Sequence, residues 1–311
     1  MGKTIKESMV HDHPSDVRYF SYVDVAAFLD PNEQIDFEKL KFRGINDVVL
    51  AIDKRERDDN VDGQILDLIR TGLRVISDKD FYGEVFEKIP VDSITKSWFL
   101  EKFINSTSLI DSITKRLLDI FVAIVGLLAV SPLFILIAIL IKLTSKGKVF
   151  FVQPRQGRFD RPFKMYKFRT MTQSESRQDA SGGFTKVGDA RVTLIGKILR
   201  PLHLDELPQL INILFGDMSI VGPRPEAYAF AKRMAGEIDL YSMRYLVRPG
   251  LTGHAQIMCG YMMDTLEDTV TKIEFDLYYI LKRNVVLDLR IMIRTFFIVL
   301  KSVLRPNSNA R

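Results

Sequence analysis

Hydrophobic residues dominate one stretch of this chain on every side. From Leu117 to Ile141 the sequence reads LLDIFVAIVGLLAVSPLFILIAILI, with Asp119 as its only charge. Few helices of a soluble core are apolar all round over such a length. As a straight helix the run would extend about 37 Å, enough to cross a hydrocarbon layer of about 30 Å. Its flanks argue for another arrangement. Lys115 and Arg116 precede it, and Lys142, Lys146 and Lys148 follow it, so the positive-inside bias marks both ends as cytoplasmic. Ser131 and Pro132 sit at its middle. Proline removes a backbone donor and clashes with the preceding turn, and a serine hydroxyl can satisfy a carbonyl that lipid cannot. Two arms of about 18 Å each would reach the bilayer middle and return. The pattern predicts a re-entrant helix hairpin broken at Ser131 and Pro132.

Shorter patterns flank this segment. Val48 to Ile52 is an apolar strand, Gln64 to Arg70 a short amphipathic helix, and Leu73 to Ile76 a second strand. No glycine fingerprint follows the first strand, so this small α/β region reads as a structural or regulatory appendage. Beyond the apolar run, Val149–Val152 and Phe163–Thr170 are predicted strands joined by the turn-rich Gly157-Arg158-Phe159-Asp160-Arg161-Pro162. A polar loop follows from Thr172 to Gly188. Leu287 to Leu304 is apolar with Arg290, Arg294 and Lys301 interspersed, which fits either an amphipathic helix lying on a membrane or a packed terminal helix. The expected class is α/β. Residues 1–105 form a small α/β appendage, 106–147 a re-entrant membrane helix, and 148–311 a mainly helical α+β catalytic domain at the membrane surface.

Composition narrows the partners. With 47% hydrophobic and 27% charged residues in 311, the chain is neither disordered nor a multi-span membrane protein. Its formal charge of +5 suits a phosphate-rich ligand or an anionic membrane and does not point to nucleic acid. Cys259 stands alone, which excludes an internal disulfide framework and a cysteine-based zinc site. The N-terminus lacks the apolar core of a secretory signal. His11 and His13 read as solvated side chains, and Gly2-Lys3-Thr4 lacks the upstream glycines of a phosphate loop.

The candidate chemistry lies between Leu199 and Glu226. Leu204, Leu207, Ile211 and Leu214 recur at helical spacing, with Asp205 where an N-cap belongs and Pro208 within the first turn. Asp205 and Glu206 would then sit at a helix N-terminus, which favours anions. Taken alone, such a pair is an ordinary cap with an exposed neighbour. Its cationic company changes the reading. Arg200 precedes the pair, Lys167 and Arg169 share one face of a predicted strand, and Arg224 lies between Pro223 and Pro225. Carboxylates ringed by cations suit phosphoryl transfer through a carboxylate nucleophile, the cations lowering the carboxylate pKa and neutralising phosphate oxygens.

Ordered blocks across this region carry a resemblance. They are KRLLDIFVAIVG with its later SP, VFFVQPRQG, FKMYKFRTM, ARVTLIGKILR, LDELPQLINILFGDMSIVGPRPE, RPGLTGHAQ and LYYILKRNVVLDLRIMIRT. From about Lys115 to Leu304 the chain resembles the bacterial sugar transferase family, the monotopic phosphoglycosyl transferases. Residues 44–100, including DFYGEVFEKIPVDSITKSWFL, resemble the end of the Rossmann-like domain of longer members. The four membrane helices that usually precede that domain are not in this sequence. His203 stands where a small hydroxyl residue is expected, which bears on substrate placement.

The resemblance implies transfer of a sugar 1-phosphate from a UDP-sugar to polyprenyl (undecaprenyl) phosphate, with release of UMP. It implies Asp205 as nucleophile through a covalent aspartyl-phosphosugar, with Glu206 as base, metal ligand or electrostatic partner. Mg²⁺ is the expected cofactor, with Asp205 and Glu206 as its candidate ligands. Lys167, Arg169, Arg200, Arg224 and Gln256 are the candidate phosphate or nucleotide contacts. The expected location is the cytoplasmic face of the cell (inner) membrane, with homo-oligomer or glycan-assembly partners open. A polyprenyl diphosphate hydrolase and a non-catalytic scaffold of a polysaccharide assembly complex are the competing readings.

Overall fold

In a computed structural model, residues 47–50, 59–106, 109–172, 189, 191–260 and 265–304 are described. The chain divides into two units, Met1–Thr95 and Lys96–Arg311. His11, His13, Ala51, Ile52 and nearly all of the Thr172–Gly188 loop lie outside the described residues.

The first unit contains the expected strand–helix–strand motif. Strand β1 (Asp47–Leu50) pairs in parallel with β2 (Arg74–Ser77), Asp47 opposite Arg74 and Leu50 opposite Ser77. Helix α1 (Asp59–Arg70) makes the crossover, with Asp59 and Asp62 in its first turn and Arg70 in its last, as the helix dipole favours. It buries Leu68 against Val48, Leu50 and Leu73. Helix α2 (Asp78–Phe86) starts on the Ser77 hydroxyl, which accepts from the Asp80 amide at 3.1 Å.

The second unit opens with α3 (Lys96–Ser106) and then α4 (Leu109–Thr144), which contains the whole apolar run. Pro132 lies inside α4 rather than between two helices. A proline at this position cannot donate to the carbonyl four residues earlier, which belongs to Leu128. Ser131 Oγ donates to that same carbonyl at 2.8 Å, so the abandoned acceptor is filled and the helix continues.

Both halves of α4 are tied to the rest of this unit. In the N-terminal half, Lys115 Nζ donates to Asp288 Oδ2 at 2.6 Å, and Arg116 donates to the Ile213 and Leu214 carbonyls at 2.6 and 2.9 Å. In the C-terminal half, Ile137 and Ile141 pack with Phe168 and Leu199. The remaining faces expose Phe121, Leu128, Ile135 and Leu136. A contiguous apolar surface of that kind calls for a covering phase.

Strands β3 (Phe150–Gln156) and β4 (Pro162–Phe168) form an antiparallel hairpin, Phe150 opposite Phe168. After α5 (Leu194–Leu199), a 3₁₀ turn at Leu204–Glu206 leads to α6 (Gln209–Phe215). Strand β5 (Ser219–Val221) then pairs in parallel with β6 (Gly250–Thr252), across α7 (Tyr228–Glu237) and a 3₁₀ segment at Tyr241–Leu246. Where these strands end, Gly222 lies against the Arg248 carbonyl and Gly253 against the Gly222 carbonyl, so a Cβ at either position would collide with backbone. Helix α8 (His254–Cys259) follows, then α9 (Leu266–Lys282) and α10 (Val285–Leu304). Helix α10 combines the two alternatives open from its sequence. It buries Leu287, Asp288 and Ile291, yet exposes Leu289, Ile293, Phe296 and Phe297.

Candidate functional site

Three segments converge on Glu206. Strand β4 brings Lys167, the 3₁₀ turn brings Asp205 and Glu206, and the loop after β5 brings Arg224. The Asn212 side chain of α6 locks this turn-and-helix segment onto the hairpin. Its Oδ1 accepts from the Tyr166 amide at 3.0 Å, and its Nδ2 donates to the Lys164 carbonyl at 2.7 Å.

The expected N-cap is corrected here. Helix α6 begins at Gln209, directly after Pro208, and Asp205 lies in the separate 3₁₀ turn before it. The reason is local. His203 takes the left-handed conformation (φ 55°), which separates α5 from the turn, and the Glu206 amide donates to the His203 carbonyl at 3.2 Å. Pro208, with no amide hydrogen and φ −63°, then starts the α-helix. Asp205 therefore makes no capping hydrogen bond, and its carboxylate is available for something else.

The adjacent carboxylates have opposite environments. Glu206 Oε1 accepts from Lys167 Nζ at 2.7 Å and from Arg224 at 2.9 Å. Although burial opposes its charge, Arg224 and Lys167 hold its pKa far below the usual carboxylate range. Asp205 is only 9% exposed, and no described residue donates a hydrogen bond to it. Burial raises its pKa; Lys167, Arg200 and His203 oppose that rise, while Glu206 adds to it. The cations therefore lower the pKa of Glu206 and fail to do so for Asp205, where loss of water decides. Two carboxylates driven apart in this way take different chemical roles.

Of the other candidates, Arg200 caps the end of α5 and contributes a favourable field at Asp205. Gln256 lies on α8, and its buried Oε1 has no donor among the described residues. Arg169 is not brought to the carboxylate pair. It follows β4 and is buried, donating to the Ser145 and Lys146 carbonyls at 2.9 Å each and to Ser145 Oγ at 2.7 Å. It thus caps the C-terminal end of α4, where a cation complements the helix dipole. Among the described residues, no group of three or more His, Cys, Asp or Glu could hold a metal by itself.

Several buried charges escaped the sequence reading. Asp119 Oδ1 accepts from Ser219 Oγ and the Ile220 amide, both at 3.0 Å, joining α4 to β5. Its signal was present, because a lone carboxylate in an apolar run must find donors. Arg244, 5% exposed, donates to Asp276 Oδ2 at 2.7 Å. Its sequence context, Tyr241 to Leu246, carries no comparable signal.

Residues 110–302 match the family profile for bacterial sugar transferases. Over 186 residues the chain is 45% identical to the UDP-N-acetylgalactosamine-undecaprenyl-phosphate N-acetylgalactosaminephosphotransferase of Aeromonas hydrophila, covering 60% of this chain and 43% of that protein. Over 190 residues it is 46% identical to the UDP-glucose:undecaprenyl-phosphate glucose-1-phosphate transferase of Klebsiella pneumoniae, covering 60% and 40%. The chain thus spans less than half the length of these two relatives. A shorter relative, exopolysaccharide production protein PSS of Rhizobium leguminosarum bv. phaseoli, is 41% identical over 193 residues, which are 60% of this chain and 94% of that protein.

Proposed function

The chain belongs to the bacterial sugar transferase family, and on that premise we propose that it transfers a sugar 1-phosphate from a UDP-sugar to undecaprenyl or another polyprenyl phosphate, releasing UMP. The observation that carries this reading is the division of labour between adjacent carboxylates. Glu206 is held by Lys167 and Arg224, while Asp205 is buried without a described donor. The activities for which the Aeromonas and Klebsiella relatives are named support the donor and acceptor classes.

Asp205 is the nucleophile. Ionised and poorly solvated, its carboxylate is more reactive than one tied up in hydrogen bonds. One of its oxygens bonds to the phosphorus that carries the sugar. The phosphoanhydride bond to UMP breaks, and UMP leaves with the bonding pair. In the second step a phosphate oxygen of the lipid bonds to the same phosphorus, and Asp205 departs as a carboxylate. One phosphoanhydride forms for each one broken, so the net reaction is nearly thermoneutral and reversible.

Lys167 and Arg224 each spend a single N–H on Glu206, which leaves further donors for the oxygens of the transferring group. Glu206, locked as an anion by two cations, is the electrostatic partner that fixes them and is poorly suited to be a base. Gln256 is assigned to the nucleotide and Arg169 to the end of α4. Mg²⁺ is usually held by one or two carboxylates together with substrate phosphates, and Asp205 with the second oxygen of Glu206 fits that donor set. Bound with the donor diphosphate, it would neutralise phosphate charge.

The reaction is placed at the cytoplasmic membrane face, with α4 re-entrant. Residues Ile110–Thr144 are long and apolar enough to cross a membrane. Their two halves nevertheless meet one short stretch of chain. Arg116 binds the carbonyls of Ile213 and Leu214, while Leu204 and Leu207 pack on the cluster of Ile137 and Ile141. A straight helix would separate residues 116 and 137 by about 31 Å, whereas residues 204–214 span less than about 20 Å. This mismatch favours a bend near Pro132, with both flanks on one side of the bilayer.

The test uses the purified full chain in lipid nanodiscs with a panel of UDP-sugars. The substrate sugar alone should release about one UMP per enzyme before lipid is added, as a covalent intermediate requires. The peptide containing Asp205 should carry the sugar-phosphate, and Asp205→Asn should abolish that adduct. An active preparation that releases no UMP without lipid, and exchanges no label between UMP and UDP-sugar, would overturn the covalent route. Cleavage of polyprenyl diphosphate without any UDP-sugar would favour the hydrolase.

A further inference from the structure

Arg224 owes its place at Glu206 to a loop that has little regular structure of its own. Residues 222–226 read Gly-Pro-Arg-Pro-Glu, and two of the five lack an amide hydrogen. Each carbonyl from Pro223 to Glu226 nevertheless has a donor. Pro223 accepts from the Gly250 amide at 2.9 Å, and Glu226 from the Gln156 amide at 3.1 Å. Pro225 accepts from Arg155 at 3.4 Å. The carbonyl of Arg224 itself accepts from Arg244 at 3.2 Å.

Arg244 is an unusual donor for that task. It is buried together with Asp276, which is 1% exposed and takes its other strong hydrogen bond at 2.7 Å. Tyr241 Oη lies 3.1 Å from the same guanidinium, and Glu226 Oε1 lies 3.9 Å away. A buried ion pair is a weak source of stability, since apolar residues of like volume often do as well. What a guanidinium adds is geometry. Nη2 donates both to Asp276 on α9 and to the Arg224 carbonyl on the loop, while Nη1 donates to Tyr241 Oη. The planar fork thus spans three partners with two nitrogens, which the single nitrogen of a lysine ammonium cannot do with the same directionality.

We propose that Arg244, with Asp276 as its counter-ion, is a positioning residue that fixes the Arg224 backbone so that the Arg224 side chain meets Glu206 and the transferring phosphate. The proposal rests on the transferase reading above. It makes no contact between Arg244 and substrate, so its effect must pass through Arg224.

A double-mutant cycle separates this from a general structural role. The variant Arg244→Lys retains a cation beside Asp276 and Glu226 and should fold. It should lower kcat/KM for UMP release by about tenfold, the size expected for losing one charge-assisted hydrogen bond. In an Arg224→Ala background the same substitution should have no further effect. Equal losses in both backgrounds would overturn the proposal. A second readout needs no turnover. The Gly250 and Gln156 amides donate to the loop carbonyls of Pro223 and Glu226. Hydrogen exchange at these two amides should quicken in Arg244→Lys, while exchange elsewhere and the thermal midpoint hold. Unchanged exchange at both, or a uniform rise across the unit, would also overturn it. If no UDP-sugar yields UMP from the wild-type chain, the transferase reading fails and the exchange experiment still decides whether the clamp exists.

Discussion

Lys115 and Asp288 are 173 positions apart in sequence and 2.6 Å apart in the fold. Asp288 also receives the Tyr279 hydroxyl at 2.8 Å on its other oxygen, so α4, α9 and α10 meet at one carboxylate. The two partners are unequally buried, Asp288 at 2% side-chain exposure and Lys115 at 22%. Removing one partner therefore has a different cost from removing the other. Lys115→Met strands a buried carboxylate and should cost about 3 kcal/mol. Asp288→Asn leaves a lysine that can turn to solvent and should cost about 1–2 kcal/mol. Burial already raises the Asp288 pKa against the pull of Lys115. A raised carboxylate binds its proton more tightly when folded, so the deficit of Lys115→Met should shrink as pH falls through the Asp288 pKa. Denaturant titrations of both variants across pH check the order and the trend.

The acid limb of adduct formation should report Asp205. Its pKa is raised, first by burial and then by Glu206, so activity should fall at a higher pH than for an ordinary aspartate. Glu206, held far below its usual range, remains ionised throughout that fall. Glu206→Gln removes the repelling charge and frees Lys167 and Arg224 to act on Asp205. The variant should react more slowly at its plateau while its acid limb moves to lower pH. Single-turnover UMP release against pH would show this, and a limb unmoved by the substitution would contradict the assigned electrostatics.

Arg169 separates two roles that its position in the sequence suggested were one. As the cap on Ser145 and Lys146 it should matter to folding rather than to donor binding. Arg169→Met should destabilise the fold by about 2–3 kcal/mol through lost buried hydrogen bonds. KM for the UDP-sugar in the surviving folded fraction should stay within about twofold of wild type, since no transition-state contact is removed. A large rise in KM without loss of stability would return Arg169 to the substrate site.

The re-entrant reading of α4 can be tested from both ends. With Cys259→Ser as background, cysteines at Ser112 and Lys148 should react with a membrane-impermeant maleimide from the same side. Labelling from opposite sides would establish a span. Pro132→Leu restores the amide donor for Leu128 and should shift some molecules toward spanning.

The β3–β4 turn holds Phe159 and Asp160 at φ 57° and 59°. Both central residues of a tight hairpin turn often need positive φ, a role that suits Asn-Gly and not a bulky aromatic. Phe159 is exposed, with the Arg158 guanidinium 4.2 Å from its ring centre. Asp160 also accepts from the buried Gln156 Nε2 at 3.0 Å. Phe159→Asn alone, with Asp160 kept, should therefore raise stability by about 1 kcal/mol by relieving left-handed strain. Calorimetry on the variant provides the measurement.

Local chemistry along the chain determined a good deal of this protein without tertiary structure. The apolar run from Leu117 to Ile141, the β3–β4 hairpin and the strand–helix–strand unit were legible because periodicity and turn residues act over a few neighbours. The Asp205-Glu206 pair was legible through its basic surroundings and the ordered blocks that contain it. The tertiary structure alone decided which cation meets which carboxylate. Lys167 and Arg169 share a strand face in sequence, yet one reaches Glu206 and the other the end of α4, because the strand ends at Phe168 and its side-chain alternation no longer governs Arg169. Asp205 looked like a cap until His203 turned left-handed and Pro208 started the helix three residues later. Arg244 and Asp276 carried no signal at all, since their pairing across 32 positions exists only once α9 packs against the Tyr241–Leu246 segment. Charges are ordinary surface residues by composition. Burial beside a particular partner gives them a role, and burial is a property of the assembled fold.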